Sequence, residues 1–163
     1  MWPIKSKLIS RELIETVIRD SKGMPRKRIP ILVHDSYEEM PQRFANCLAA
    51  ESYIRPHLHE DENQWELVVW LAGEMLVVIF DERGAIQQKI ELSQSKNRVF
   101  EIARNQYHAY IPLTDCAYFE IRNCQFTPGS DRRYADWAPE ENSADAAPYI
   151  EWIKQAEIGH RYG

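Results

Sequence analysis

Residues 29–124 form a succession of short apolar runs, each closed by turn-forming residues, with no stretch between them long enough for a helix. That pattern leaves few folds open. Runs of roughly four to eight β-branched and aromatic residues at this spacing pair as antiparallel strands, because parallel neighbours would need crossover helices. Candidate strands cover 29–33, 43–50, 53–57, 65–71, 74–80, 86–92, 98–102, 108–111 and 117–124, with Asp81-Glu82-Arg83-Gly84 as a hairpin turn. Ahead of them, Leu8, Ile9, Leu13, Ile14, Val17 and Ile18 recur at helical spacing, Ser6 or Ser10 can cap the start, and Gly23 and Pro25 end the helix. Residues 145–156 read as a short closing helix whose Tyr149, Ile150, Trp152 and Ile153 pack on the β-structure. The expected organisation is an amino-terminal helix and linker over 1–24, one mainly β sandwich or barrel over 25–140, and a helix and tail over 141–163.

Within those strands the chain gathers metal-binding chemistry. Arg55-Pro56-His57-Leu58-His59 is followed by Glu66, and later by Gln106-Tyr107-His108. Histidines two apart on a strand point to the same side, so His57 and His59 can meet one ion; on a helix they would diverge. A lone His-x-His is more often a pair of ordinary polar residues near a sheet surface, and it is the surrounding spacing that changes the reading.

That spacing resembles the first motif of the cupin superfamily, in which Gly, His-x-His, Glu and Gly follow at set intervals. Glu66 is followed after six residues by Gly73, as in the motif, whereas six residues rather than three or four separate His59 from Glu66, and Glu51 stands where the leading glycine is expected. A literal count would put Asn63 or Gln64 at the acidic position, with Glu62 nearby; the Gly73 anchor favours Glu66. The extra residues within 60–64 are polar and read as a lengthened loop. The second motif keeps only His108, although Asn105 can adopt the positive φ that the motif glycine would supply.

A narrower likeness rests on Pro25-Arg26-Lys27-Arg28, Leu32-Val33-His34, Gln42-Arg43, Ser52 through His59, Phe80 through Gly84, and Tyr134-Ala135-Asp136-Trp137-Ala138-Pro139-Glu140. These resemble the WbuC-type cupin metalloproteins found with bacterial surface-polysaccharide (O-antigen) genes. The resemblance implies a double-stranded β-helix, the cupin jelly roll, holding a metal; it carries over no reaction.

Three imidazoles and a carboxylate, His57, His59, His108 and Glu66, suit one divalent transition metal: Fe, Mn, Ni, Co or Zn. Calcium and magnesium prefer oxygen donors. Strand parity selects neighbours for a bound ligand: Tyr53 and Arg55 accompany the paired histidines, Tyr110 accompanies His108, and Glu120 and Arg122 alternate on a later strand. Arg55 would hold a carboxylate or phosphate, or else form a surface ion pair with Glu60 or Asp61. His34 reads as a structural histidine, and Trp137-Ala138-Pro139 as a lid or apolar plug. Catalytic residues are not assigned.

Three functional classes follow. One is a metal-dependent enzyme acting on a small polar molecule, anionic or sugar-derived; the others are a ligand-binding or sensing module with a structural metal, and a metal-independent sugar epimerase or isomerase. The net charge of −5 gives no general attraction to nucleic acid or anionic lipid. The basic run Arg19, Lys22, Arg26, Lys27 and Arg28 reads as a solvated linker. The longest apolar runs are too short to span a bilayer and no signal peptide is seen, so a cytoplasmic protein is expected. Cys47, Cys116 and Cys124 lack paired spacing and read as reduced thiols, with Cys47 a minor candidate ligand. Exposed edge strands make a homodimer a reasonable expectation.

Overall fold

The computed structural model describes residues 6–61, 63–127 and 132–163. Helix α1 spans Arg11–Ser21; Ser10 caps it by accepting the Leu13 N–H through its side-chain oxygen at 3.2 Å. Ten strands follow: β1 (Arg28–Leu32), β2 (Gln42–Leu48), β3 (His57–Leu58), β4 (Glu66–Ala72), β5 (Met75–Phe80), β6 (Ile86–Leu92), β7 (Val99–Ile102), β8 (Tyr107–Pro112), β9 (Cys116–Arg122) and β10 (Arg133–Tyr134). Helix α2 (Ala146–Gln155) closes the chain.

The strands form two five-stranded antiparallel sheets, ordered β1-β2-β9-β4-β7 and β10-β3-β8-β5-β6. This is a double-stranded β-helix of the cupin type, mainly β, with a helix at either end of the chain. Alternation along each strand divides its residues between two environments. Met75, Val77 and Ile79 of β5 join Leu48, Val68 and Tyr118 in the barrel interior. Leu76, Val78 and Phe80, the intervening residues, face a second cluster built with Tyr149, Ile150 and Ile153 of α2. On the opposite sheet, Ile14 of α1 packs with Cys47 and Ala117. Cys47 therefore points outward to α1, away from the barrel interior, and burial raises its thiol to about 11. Cys47 and Cys116 are free thiols.

Two turns need their particular residue. Gly73 joins β4 to β5 at φ 71°, where an added Cβ would lie 2.1 Å from the Asp115 carbonyl oxygen. Asn105 takes φ 56° before β8, the positive value expected at the position of the motif glycine.

The expected strand over 53–57 is shortened to His57–Leu58. Pro56 has no N–H to give a ladder and restricts Arg55 before it, so regular pairing starts only at His57. Among the described residues no helix is long and apolar enough to cross a membrane.

Candidate metal centre

Cross-strand register assembles the site. His57 of β3 lies opposite His108 of β8, and their ring centroids are 4.5 Å apart. His59, one residue past the end of β3, turns its ring to the same place, 5.2 Å from His57. One ring nitrogen from each of the three histidines falls within 4.8 Å of the others, and all three residues are buried. A group of this compactness could hold a metal ion.

Glu66, at the start of β4 in the facing sheet, completes the surroundings. Its Oε1 is 2.7 Å from His59 Nε2 and its Oε2 is 3.2 Å from His108 Nε2. The hydroxyl of Tyr110 donates to Oε2 at 2.8 Å, and Arg122 of β9 stands 4.0 Å from Oε1.

The donor chemistry fits a cation. His57 Nδ1 lies 2.9 Å from the Arg55 carbonyl, and His108 Nδ1 lies 2.9 Å from the Gln106 carbonyl. A carbonyl only accepts, so each ring carries its hydrogen on Nδ1 and turns Nε2 inward, the second-sphere pattern of metal-bound histidines. His108 Nε2 and Glu66 Oε1 are buried without a well-aligned hydrogen bond. Between an imidazole lone pair and a carboxylate oxygen at these distances something positive must sit, a proton or a metal. Burial, followed by Arg132, His108 and His59, pushes His57 well below its ordinary pKa, so the third ring of the group stays neutral and keeps an open lone pair on its inward Nε2. Burial acts to raise the Glu66 carboxyl, but His59 and His108 hold it well below the usual carboxylate range.

His57 and Tyr110 also line a cavity of about 380 Å³ that opens between the sheets. Glu120 and Arg122 stand in its wall. Glu120 accepts from Asn46 Nδ2 at 3.2 Å and lies 3.3 Å from Arg122 Nε. Burial and Glu66 raise the Glu120 carboxyl to about 8. Burial, with Glu66 and Glu120, likewise keeps Tyr110 protonated as a donor.

Tyr110, Glu120 and Arg122 are thus brought together beside the histidines, while Tyr53 and Arg55 are not. Tyr53 packs against Tyr149 of α2 and donates to the Pro139 carbonyl, outside the barrel. Arg55 donates to the Ala135 carbonyl at 2.8 Å, lies 3.9 Å from Glu140, and is absent from the cavity lining. Ile54 faces inward instead. It lies three positions, an odd step, before His57, so the alternation slips by one at Arg55-Pro56. Trp137 covers Phe80 and Tyr107 on the outer side, with its indole N–H on the Glu82 carbonyl, and forms no lid over the cavity. Arg26 and Arg28, expected in a solvated linker, both bind Glu141 at 2.8 Å and line the cavity. Glu60 pairs with Arg133 at 3.2 Å, and Glu62 lies outside the described residues.

His34, Asn46, Tyr118, Phe44 and Arg132 line the same cavity without having been singled out for it in the sequence. Phe44, Asn46, Tyr118 and Glu120 all alternate inward on paired β2 and β9, and that parity was the available signal.

The fold and the buried three-histidine group define a cupin-type double-stranded β-helix protein suited to metal binding. Residues 9–92 match the family described as Domain of unknown function (DUF6016), and the chain belongs to that family. No curated protein matches the sequence. Among solved structures, the chain is similar to protein SO0799 from Shewanella oneidensis, at 10% identity and TM-score 0.61, covering 91% of this chain and 98% of that one. It is similar to an uncharacterised protein with a double-stranded β-helix domain from Klebsiella pneumoniae, at 12% identity and TM-score 0.55 over 81% and 99% of the two chains. A third similarity is to the capsular polysaccharide assembling protein CapF of Staphylococcus aureus, at 16% identity and TM-score 0.52 over 65% of this chain. The matched part spans 32% of the CapF chain. At these identities the likeness is one of fold.

Proposed function

We propose that this protein binds one divalent transition metal through His57, His59, His108 and Glu66, and uses it on a small anionic molecule held in the adjoining cavity. The observation that carries the reading is the inward-turned, buried Nε2 atoms of a triad one of whose members, His57, also lines a cavity open to ligand. A bound metal would supply Lewis acidity toward a carbonyl, hydroxyl or carboxylate oxygen of that molecule. The chain's own residues do the remaining work. Tyr110 holds Glu66 in place through its hydroxyl, and Glu120 and Arg122 present a carboxyl group and a guanidinium donor side by side in the wall.

Charge favours an anion. The described lining contains Arg26, Arg28, Arg122 and Arg132 but only Glu120 as an acid, within a chain of net charge −5. Glu141 neutralises part of the Arg26 and Arg28 charge from behind. A sugar acid or sugar phosphate of surface-polysaccharide metabolism is the class we attach, supported by the sequence likeness to WbuC-type proteins and by the likeness in fold to the capsular polysaccharide assembling protein CapF. A non-catalytic ligand-binding role is the second reading, favoured by the near-complete burial of all three imidazoles.

Elemental analysis of tag-free protein tests the metal: about one transition-metal ion per chain is expected, lost on His57→Ala. Protein that neither carries nor takes up stoichiometric metal would overturn the reading and leave the metal-independent isomerase class. Turnover of a sugar acid or sugar phosphate by the loaded protein would separate the enzyme from the binding module.

A further inference from the structure

His34 lies just past the end of β1, buried to 5% exposure, and lines the cavity whose other wall carries His57. Its ring is anchored at one edge only. The Arg43 N–H donates to Nδ1 at 3.0 Å, and a backbone N–H can do nothing but donate. Nδ1 therefore offers its lone pair and the ring hydrogen sits on Nε2. The Arg43 carbonyl is also 2.9 Å from Nδ1, but a hydrogen there would face the Arg43 N–H at 3.0 Å. At the other edge Nε2 is buried with no hydrogen-bond partner among the described residues. A buried donor left unmade costs on the order of 1 to 3 kcal/mol, so a native structure keeps one where a ligand or water completes it.

Position tells which part of a ligand would complete it. In the sheet order β1-β2-β9-β4, the strand leading to His34 is three places from the strand that carries Glu66. At the usual strand spacing this is roughly 14 Å between backbones, shortened by inward side chains from both ends. Between them stand Phe44 and Arg122, with the guanidinium carbon 5.2 Å from the Phe44 ring centroid. His34 is itself 6.1 Å from that ring, so cationic and aromatic surface runs unbroken from the metal centre to His34.

We propose that His34 is a specificity residue at the far end of the cavity, donating from Nε2 to a carboxylate or phosphate oxygen of an elongated small acid whose other end meets the three-histidine centre. The inference rests on the metal-dependent reading above and adds the shape of its ligand: two oxygen-bearing ends, one of them acidic, with a ring-sized middle against Phe44. Burial, and then Arg43 and Arg122, depress the His34 pKa, so the ring is neutral in ordinary buffer and its single hydrogen is the one on Nε2, the edge that Arg43 does not engage.

Two substitutions at one position test it. In His34→Asn the side-chain oxygen can still accept the Arg43 N–H, while the donor on the cavity side is gone; His34→Gln keeps an amide donor near the position of Nε2. Glucose 6-phosphate and glucuronate are titrated by calorimetry into metal-loaded wild type and both variants, with inorganic phosphate and glucose as short and uncharged comparisons. Metal content is measured on the same samples. Wild type should bind at least one elongated acid more tightly than inorganic phosphate or glucose. His34→Asn should weaken that binding about 10- to 100-fold, the size of one hydrogen bond to a charged group, and His34→Gln should recover part of it. The phosphate and glucuronate arms tell which acid is preferred. Equal affinity in wild type and His34→Asn with full metal, or no binding of either elongated acid to metal-loaded wild type, overturns the His34 proposal alone. Absence of metal from wild type overturns the underlying reading. If His34→Asn does not fold, the ring nitrogens of wild type are followed by NMR: a Nε2 resonance unmoved by a bound acid overturns the proposal.

Discussion

The two ends of the barrel interior use the same strands in opposite ways. At one end Leu48, Met75, Leu92 and Cys116 meet with no exposure and no polar partner. At the other, only a few residues along the same strands, Gln42, Glu66, His108, Glu120 and Arg122 are buried almost as completely. The apolar end is stabilised by burial itself, about 25 cal/mol per Å². The polar end gains nothing comparable from burial, since each ionisable group there loses hydration that its neighbours only partly replace. A chain that keeps such a cluster beside a cavity gives up stability there, and the apolar end offsets that loss.

The difference can be broken most completely at the histidines. His108→Ala should reduce metal content from about one ion per chain to background while circular dichroism stays unchanged; stoichiometric metal in this variant would mean the centre lies elsewhere. At the apolar end, Met75→Ala should lower unfolding free energy by about 2 to 5 kcal/mol in urea titration, with metal per folded chain unaltered. Loss of metal from well-folded Met75→Ala protein would show that the ends are not independent. Tyr110→Phe sharpens the contrast, because it removes only the hydroxyl that donates to Glu66. Metal affinity measured against a competing chelator should fall roughly 10- to 100-fold, as for other outer-sphere partners, and an unchanged affinity would remove Tyr110 from that role.

The smallest effect concerns proton balance in metal-free protein. Glu120 is raised from 4.5 to about 8 by burial first and Glu66 next, so in neutral buffer the folded state holds a proton that the unfolded chain has released. Its contribution to stability is full below the ordinary carboxylate range and is lost as pH rises toward about 8. Glu120→Gln cannot titrate. The variant should therefore gain on wild type, in melting temperature, across that window, and the difference should level off above it. A gap that is constant with pH would show that Glu120 is ionised in the fold.

Much of the architecture was legible because it follows from local rules. Periodicity placed α1, with Ser10 one of its two candidate caps, most strands to within a residue or two, and the closing helix. The pleat places His57, His108 and Glu66 on inward-facing positions, and Asn105 supplies the turn before β8. Local rules failed where regularity failed. Alternation counted back from His57 through Pro56 put Tyr53 and Arg55 inside, and a single slipped residue exchanged them for Ile54. β10 is two residues long and pairs through Arg133 and Tyr134, too short to leave a pattern.

By itself, the sequence determined which residues could share a face, since side-chain direction along a strand depends only on the pleat. It thereby determined that one pair of histidines, a third histidine and a glutamate lie on inward faces. Which faces meet was decided only by the tertiary structure. His57 stands opposite His108 through the pairing of β3 with β8, and Glu66 stands opposite Arg122 through the pairing of β4 with β9. His34 shares a cavity with His57 only because the two sheets close on one another, since His34 follows β1 of one sheet and His57 lies on β3 of the other. Contacts of that range are set by how whole sheets bury their apolar faces, a property of the assembled fold that no local pattern records.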